Sequence, residues 1–343
     1  MRVFKHVVLS AWLAGILCFN VVTAQAAESV RVGVIGLLAD AGIYVAAEKG
    51  YFREAGIDLK LEPFNTSVKM LPALSTGDLD VATGGIAASL FNGIARGLPI
   101  ITVGDKGSQK KGMGTNAVVL AKAVADRGEV KSVRDLRGKP IALLGPGALS
   151  EYQWSVVLGR DGLTLKDVEP KYMSFPDMTT ALGTGAVVAG MSSEPNVTLG
   201  IKKGALVKWI DWADVAPGDQ AGVIFYNVDF ARKRPEAARK FMVAYVRGIR
   251  AMHDALREGG AKKEELVQIM IKHTPLKDPA IYRDIEWSYV NPDGAVNTKS
   301  VAAQQDFFVK SGRVEKPVPI EKVVDNSFAE YAVKVLGPYR KAP

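Results

Sequence analysis

Short apolar runs that end on glycine alternate along this chain with longer stretches of helical spacing. Val30-Arg31-Val32-Gly33-Val34-Ile35-Gly36 and Lys139-Pro140-Ile141-Ala142-Leu143-Leu144-Gly145 read as buried strands closed by glycine turns. Such runs suit parallel strands covered by helices on both faces. Each strand is followed by a helical stretch and a glycine-aliphatic turn, Ala55-Gly56-Ile57-Asp58 in the first half and Asp161-Gly162-Leu163 in the second. Leu74-Ser75-Thr76-Gly77-Asp78-Leu79-Asp80-Val81-Ala82 is then echoed by Leu182-Gly183-Thr184-Gly185-Ala186-Val187-Val188-Ala189-Gly190. Gly77 lies 41 residues after Gly36, and Gly185 lies 40 after Gly145. Strands and helices alternating at this pace form βαβ units. Two such units in register predict an α/β protein of two lobes with one plan.

Residues 104–117 carry the glycine and charge of an exposed loop. Ala216-Pro217-Gly218-Asp219 is a second break, before the strand Gly222-Val223-Ile224-Phe225-Tyr226-Asn227. These two breaks are read as the crossings between lobes. From Pro235 onward the pattern is helical. Phe241, Tyr245, Ile249 and Met252 recur at spacings of four, four and three, which line one helix face. Further helices are expected near Lys262–His273 and from Ile320 to Val335, ending at Gly337-Pro338. The C-terminal helices are expected to cover the first lobe.

The first residues follow a different pattern. Arg2, Lys5 and His6 precede an apolar run from Val7 to Val22, and Ala24 and Ala26 place small side chains where a signal peptidase reads. The run falls short of the ~20 residues a membrane-spanning helix needs. An export signal over 1–26 is therefore expected, with cleavage after Ala26. The remaining chain has 317 residues. The single cysteine, Cys18, leaves with the signal, which excludes a thiol enzyme, an internal disulfide and a Cys-ligated zinc site. The formal charge of +8 falls to +6. Lys110-Lys111, Lys202-Lys203, Arg232-Lys233-Arg234 and Lys262-Lys263 are scattered rather than gathered in a stripe, so they read as solvated surface and not as a nucleic-acid footprint.

Candidate chemistry sits at strand-turn-helix junctions, because ligands bind beyond the carboxyl ends of strands in open α/β sheets. The free N–H groups and dipole of a helix start favour an anion there. Four junctions qualify: residues 36–42, 83–89, 145–152 and 191–195, two from each half. They supply the candidate ligand-binding residues Leu38, Asp40, Thr83, Gly84, Gly85, Ile86, Gly147, Ala148, Leu149, Ser150, Tyr152, Ser192, Ser193 and Glu194. Hydroxyls of Ser150, Ser192 and Ser193 would confer specificity, with Tyr152 as an apolar wall. Enzyme chemistry finds little footing. His253 and His273, the histidines beyond the leader, sit within a helix and near a helix end; Asp78 and Asp80 read as turn and cap groups; Gly145-Pro146-Gly147 lacks the third glycine of a dinucleotide fingerprint. No cofactor or metal is expected.

Several segments carry a family resemblance. Gly50-Tyr51-Phe52-Arg53-Glu54-Ala55-Gly56-Ile57-Asp58, Leu74–Ala82, Val133-Arg134-Asp135-Leu136-Arg137-Gly138-Lys139-Pro140-Ile141-Ala142, the Glu194-Pro195 turn, and Phe230-Ala231 with Pro235–Phe241 stand in order over residues 30–337. Together they resemble the periplasmic binding proteins for nitrate, sulfonates, taurine, bicarbonate and thiamine-pyrimidine precursors. The resemblance implies the type II two-lobe periplasmic binding protein fold, with lobe 1 at 27–118 and 222–343 and lobe 2 at 119–221. It also implies a periplasmic monomer that captures a small solute and delivers it to an ABC permease with its ATPase. A small anion such as a sulfonate, carboxylate or nitrate is the expected ligand. The alternatives are an aromatic or pyrimidine-type ligand, or a periplasmic sensor. Enzymes exist on this scaffold, but the export signal and the missing cysteines argue against one here.

Overall fold

A computed structural model describes residues 27–64 and 67–340; the export signal expected over 1–26 lies outside them. Among the described residues, β1 (Glu28–Val34), β2 (Ile57–Pro63), β3 (Val81–Gly85) and β4 (Ile100–Ser108) belong to one sheet. β5 (Asn116–Ala121), β6 (Pro140–Leu143), β7 (Glu169–Tyr172), β8 (Ala189–Ser193) and β9 (Leu206–Asp211) form a second, and β10 (Gln220–Asn227) returns to the first. The orders are β2-β1-β3-β10-β4 and β7-β6-β8-β5-β9. β1 runs parallel to β2 and β3, as β6 does to β7 and β8; β10 and β5 pair antiparallel with their neighbours on both sides. The two sheets therefore share one plan, and each takes its antiparallel strand from the segment that follows a crossing. The α/β class and repeated plan expected from the hydrophobic pattern are what the chain builds, with one antiparallel strand in each sheet that the pattern did not predict.

Helix Pro235–Glu258 fixes the first unit. Its proline occupies the first turn, where a missing N–H costs nothing. Phe241, Tyr245, Ile249 and Met252 are all buried, and each contributes on the order of 1.5–3 kcal/mol of apolar burial. Gly248 lets this helix cross Ala41–Glu48 closely: a Cβ at 248 would strike the Gly42 carbonyl oxygen and stand 2.8 Å from Ala46 Cβ. Gly42, read in the sequence as part of a ligand junction, lies inside that helix and serves this crossing.

Two segments differ from the sequence reading. Gly104–Ser108 is not exposed loop but the end of β4, with Asp105 and Lys106 only 1% and 2% exposed. The Asp105 carboxylate accepts hydrogen bonds from Gly107 N, Ser108 Oγ, Gln220 Nε2 and Asn291 N at 2.6–2.8 Å. Buried polar groups are tolerated when they are hydrogen-bonded, and partners 115 and 186 residues away leave no local trace. The expected helix Ile320–Val335 is two helices, Ile320–Val323 and Ser327–Leu336. Between them Val324 bridges Thr102, and Asp325 N donates to Thr102 O.

The sheets are joined where β4 leads to β5 and where β9 leads to β10. The two crossings bond to one another: Gln109 N donates to Asp219 O at 3.0 Å, and Gly218 N donates to Gln109 O at 2.7 Å. The buried Asp219 carboxylate accepts from Trp212 Nε1, Ser300 Oγ and Gln304 Nε2 at 2.5–3.0 Å. Trp212 belongs to the second unit, while Ser300 and Gln304 lie on helix Thr298–Lys310, which packs on the first. Burial holds the Asp219 carboxyl above its ordinary range, with those three donors opposing the shift.

Candidate functional site

The four junctions meet in pairs. Gly36 and Leu38, after β1, share the lining of a cavity of about 20 Å³ with Pro195, after β8. Thr274, Leu276, Tyr282 and Ile285 complete it. The other pair touches directly. Ala88 N, at the start of helix Ala88–Ala95 after β3, donates to Gly147 O at 2.9 Å in the turn after β6. Gly147 has φ +72°, and a Cβ there would stand 3.0 Å from Ala88 Cβ, so this approach needs small residues on both sides. The junctions thus line an interface between the two sheet units.

Three of them close their helix starts with carboxylates. Asp40 Oδ2 accepts from Gly36 N and Leu37 N, both at 3.0 Å. Its other oxygen faces Lys106 Nζ at 2.9 Å, off the line of a hydrogen bond, in a fully buried ion pair. Glu151 Oε2 accepts from Gly147 N at 2.8 Å, and Oε1 accepts from Tyr172 OH at 2.6 Å. Arg313, just past helix Thr298–Lys310, clamps both Glu151 oxygens. Burial works to raise the Glu151 carboxyl, but the Arg313, Tyr172 and Gly147 bonds outweigh it and hold it below its ordinary value. Glu194, whose peptide bond to Pro195 is cis, accepts from Thr198 N at 3.0 Å and Thr198 Oγ1 at 2.9 Å. Burial raises its carboxyl above the ordinary range despite those bonds.

The remaining sequence candidates fall into different settings. Ser150 Oγ accepts from Leu144 N at 3.1 Å and so caps its own turn. Ala148 and Leu149 are half-buried at the helix start. Ile86 lies in the core beneath the first sheet. Gly84 and Gly85 pair with Val223 and Gly222 of β10, and Gly85 is exposed. Tyr152 packs edge-on against Trp212 and Phe307 at 6.2 and 5.8 Å, joining aromatic groups of both units; burial pushes its phenol up to about 12. Ser193 is half-buried. Among the described residues the buried hydroxyls of Thr83 and Ser192 have no hydrogen-bond partner, while the buried Tyr44 hydroxyl, on the helix that follows the first junction, lies against the Gly36 backbone. An unsatisfied buried polar atom carries a penalty of about 1–3 kcal/mol, which a bound group can relieve.

The sequence reading missed Lys106, Arg313 and Tyr44. Lys106 and Arg313 pair with carboxylates 66 and 162 positions away. No local pattern signals such pairs. His253 bonds Val290 O and His273 bonds Glu48 while stacking on Tyr44, so both histidines have structural partners. Asp78 and Asp80 act as turn and strand-end groups, accepting from Thr76 Oγ1 and Arg31 N respectively.

The family model described as NMT1/THI5 like matches residues 39–256. No curated protein matches the chain. Among solved structures, the periplasmic aliphatic sulphonate-binding protein SsuA from Escherichia coli is 21% identical, with a TM-score of 0.70 over 88% of this chain and 99% of that one. The periplasmic nitrate-binding protein NrtA from Synechocystis PCC 6803 is 15% identical, with a TM-score of 0.69 over 90% and 89%. The desulfurization enzyme DSZB is 14% identical, with a TM-score of 0.62 over 90% and 99%. These likenesses establish the periplasmic binding protein fold.

Proposed function

The chain belongs to the NMT1/THI5-like family, and from that membership and the paired junctions we propose that it is an exported solute-binding protein. In this reading the two sheet units are lobes, at 27–118 with 222–343 and at 119–221. They close on a small solute by hinge motion about the crossings. The closed form delivers the solute to an ABC permease in the inner membrane. The observation that carries this reading is the meeting of the four strand-end junctions in two pairs, each with one junction from either unit, with unpartnered buried hydroxyls at Thr83 and Ser192. Among the described residues no helix is long and apolar enough to cross a membrane, which accords with a protein that works beside the membrane after its signal is removed.

SsuA and NrtA, by their names, bind a sulphonate and nitrate, so anions belong in a ligand screen beside heteroaromatic and cationic solutes. DSZB makes turnover on the same fold a second reading to be tested. A thermal-shift screen of refolded mature protein tests the first: a ligand at a hundred times its dissociation constant adds about 2.7 kcal/mol. A screen without any saturable shift would overturn solute binding. A mass-spectrometric time course with any hit tests the second; consumption of the ligand would favour an enzyme.

A further inference from the structure

The paired junctions hold their own anions. The windows 36–42, 83–89, 145–152 and 191–195 contain no lysine or arginine, and they contain three acids, Asp40, Glu151 and Glu194. Each of the three occupies backbone donors that an external anion would otherwise take: Gly36 N and Leu37 N, Gly147 N, and Thr198 N. The second junction has no acid, but its Ala88 N–H is met by the Gly147 carbonyl. Three cations act on this region from outside the windows, and Lys208, whose charge is felt by Glu194, is committed to Asp211 and Glu286. Lys106 is committed to Asp40 and Arg313 to Glu151. Glu194 is held by the Thr198 N–H and hydroxyl, and among the described residues no cation forms an ion pair with it.

From this arrangement we infer that the cleft takes an uncharged or positively charged solute and excludes anions. The inference rests on the solute-binding reading and narrows its ligand class. An anion entering here would meet three carboxylates and cations that are already paired, and the carboxylates already take backbone N–H donors at three of the four junctions. Discrimination of this kind comes from the repulsive group as much as from the attractive one. An uncharged solute can still satisfy the buried Ser192 and Thr83 hydroxyls, and a cationic one has Glu194 two residues from Ser192 as counter-charge. Burial of Glu194 raises its carboxyl, as expected of an acid without a paired cation, and a cationic solute would bring it back toward its ordinary range.

Solutes matched in shape and differing in charge test this directly. Benzoate, benzamide and benzamidinium, and acetate, acetamide and acetamidinium, are titrated into refolded mature protein at constant ionic strength, beside nitrate and ethanesulfonate. Thermal shift and calorimetry report binding. The expected result is saturable binding of a neutral or cationic member at least tenfold tighter than its anionic partner, with no binding of nitrate or ethanesulfonate. Glu194→Gln is expected to lose about tenfold for the cationic member and little for the neutral one. If that variant does not fold, the wild-type panel decides alone. An anion that binds tenfold more tightly than its neutral and cationic counterparts overturns the inference and leaves solute binding intact. A panel in which nothing binds overturns the inference, and the wider screen then decides whether solute binding falls with it.

Discussion

Arg313 and Glu151 join the two sheet units through a two-pronged ion pair, with Nη2 2.7 Å from Oε1 and Nε 3.0 Å from Oε2. The carboxylate is 2% exposed and the guanidinium 39%. The pair therefore has one desolvated member and one that water reaches. Its net contribution is expected near the lower end of the ~1.5–3 kcal/mol range for a charged hydrogen bond, because the arginine is screened. Arg313→Ala should loosen the interface without unfolding either unit, since Tyr172 OH and Gly147 N still hold Glu151. Small-angle scattering should give a larger radius of gyration for the variant. An unchanged radius would show that this pair does not latch the units.

Lys106 and Asp40 are buried together, so each depends on the other. Removing one member of a buried pair costs about 3–5 kcal/mol, because the remaining charge has no partner. Lys106→Met and Asp40→Asn should each destabilise by that order in urea melts. The double variant should recover a measurable part of the loss, although Asp40→Asn also weakens the cap on Gly36 N and Leu37 N. Strictly additive losses would mean that the two groups are not coupled.

Asp105 gives a pH signature. Burial pushes its carboxyl up to about 6, although four donors oppose that shift. A carboxyl raised in the folded state stabilises when protonated. Its contribution is complete below the unfolded value near 4 and is lost as pH rises through about 6. A carboxyl moved from near 4 to about 6 corresponds to about 3 kcal/mol. Asp105→Asn does not titrate. The stability of the native protein relative to that variant should therefore fall between about pH 4 and pH 6 and level off above. A relative stability that rises with pH over that window would place the carboxyl below its ordinary value instead.

Gly248→Ala tests the crossing of the two helices in the first unit. The new Cβ would meet the Gly42 carbonyl oxygen and Ala46, neither of which can rotate aside. Overpacking of this kind costs about 1–3 kcal/mol or more. Gly56→Ala is the control: a Cβ there has open space around it, and only its φ of +73° is strained. The melting temperature should fall further for the first. Equal losses would show that close approach at 248 costs no more than the strained φ at 56.

The sequence carried the fold wherever local patterns fix structure. Apolar runs ending in glycine marked β1 and β6, an apolar run after the Ala216–Asp219 break marked β10, and the four-four-three spacing of Phe241 to Met252 marked the long helix face. The junction windows were legible for the same reason, because a strand, a glycine and a helix start are contiguous in the chain. The polar interior was not. Asp105 and Lys106 look like loop residues until Gln220, Asn291 and Asp40 are brought around them. Arg313 acquires its role only by reaching Glu151 in the other unit. Helix starts at the junctions suggested open anion sites, but Asp40, Glu151 and Glu194 turn back onto those backbone donors only in the folded chain.

The most direct test of solute capture is calorimetric titration of the best hit from the ligand screen into the mature protein and into Ser192→Leu/Ser193→Leu. The second variant fills the end of β8 at the interface while leaving both sheets' pairing in place. The account predicts one site per chain in the native protein and no detectable binding in a variant that still melts cooperatively. Equal affinity in both would contradict it, because the solute would then bind somewhere other than between the four junctions.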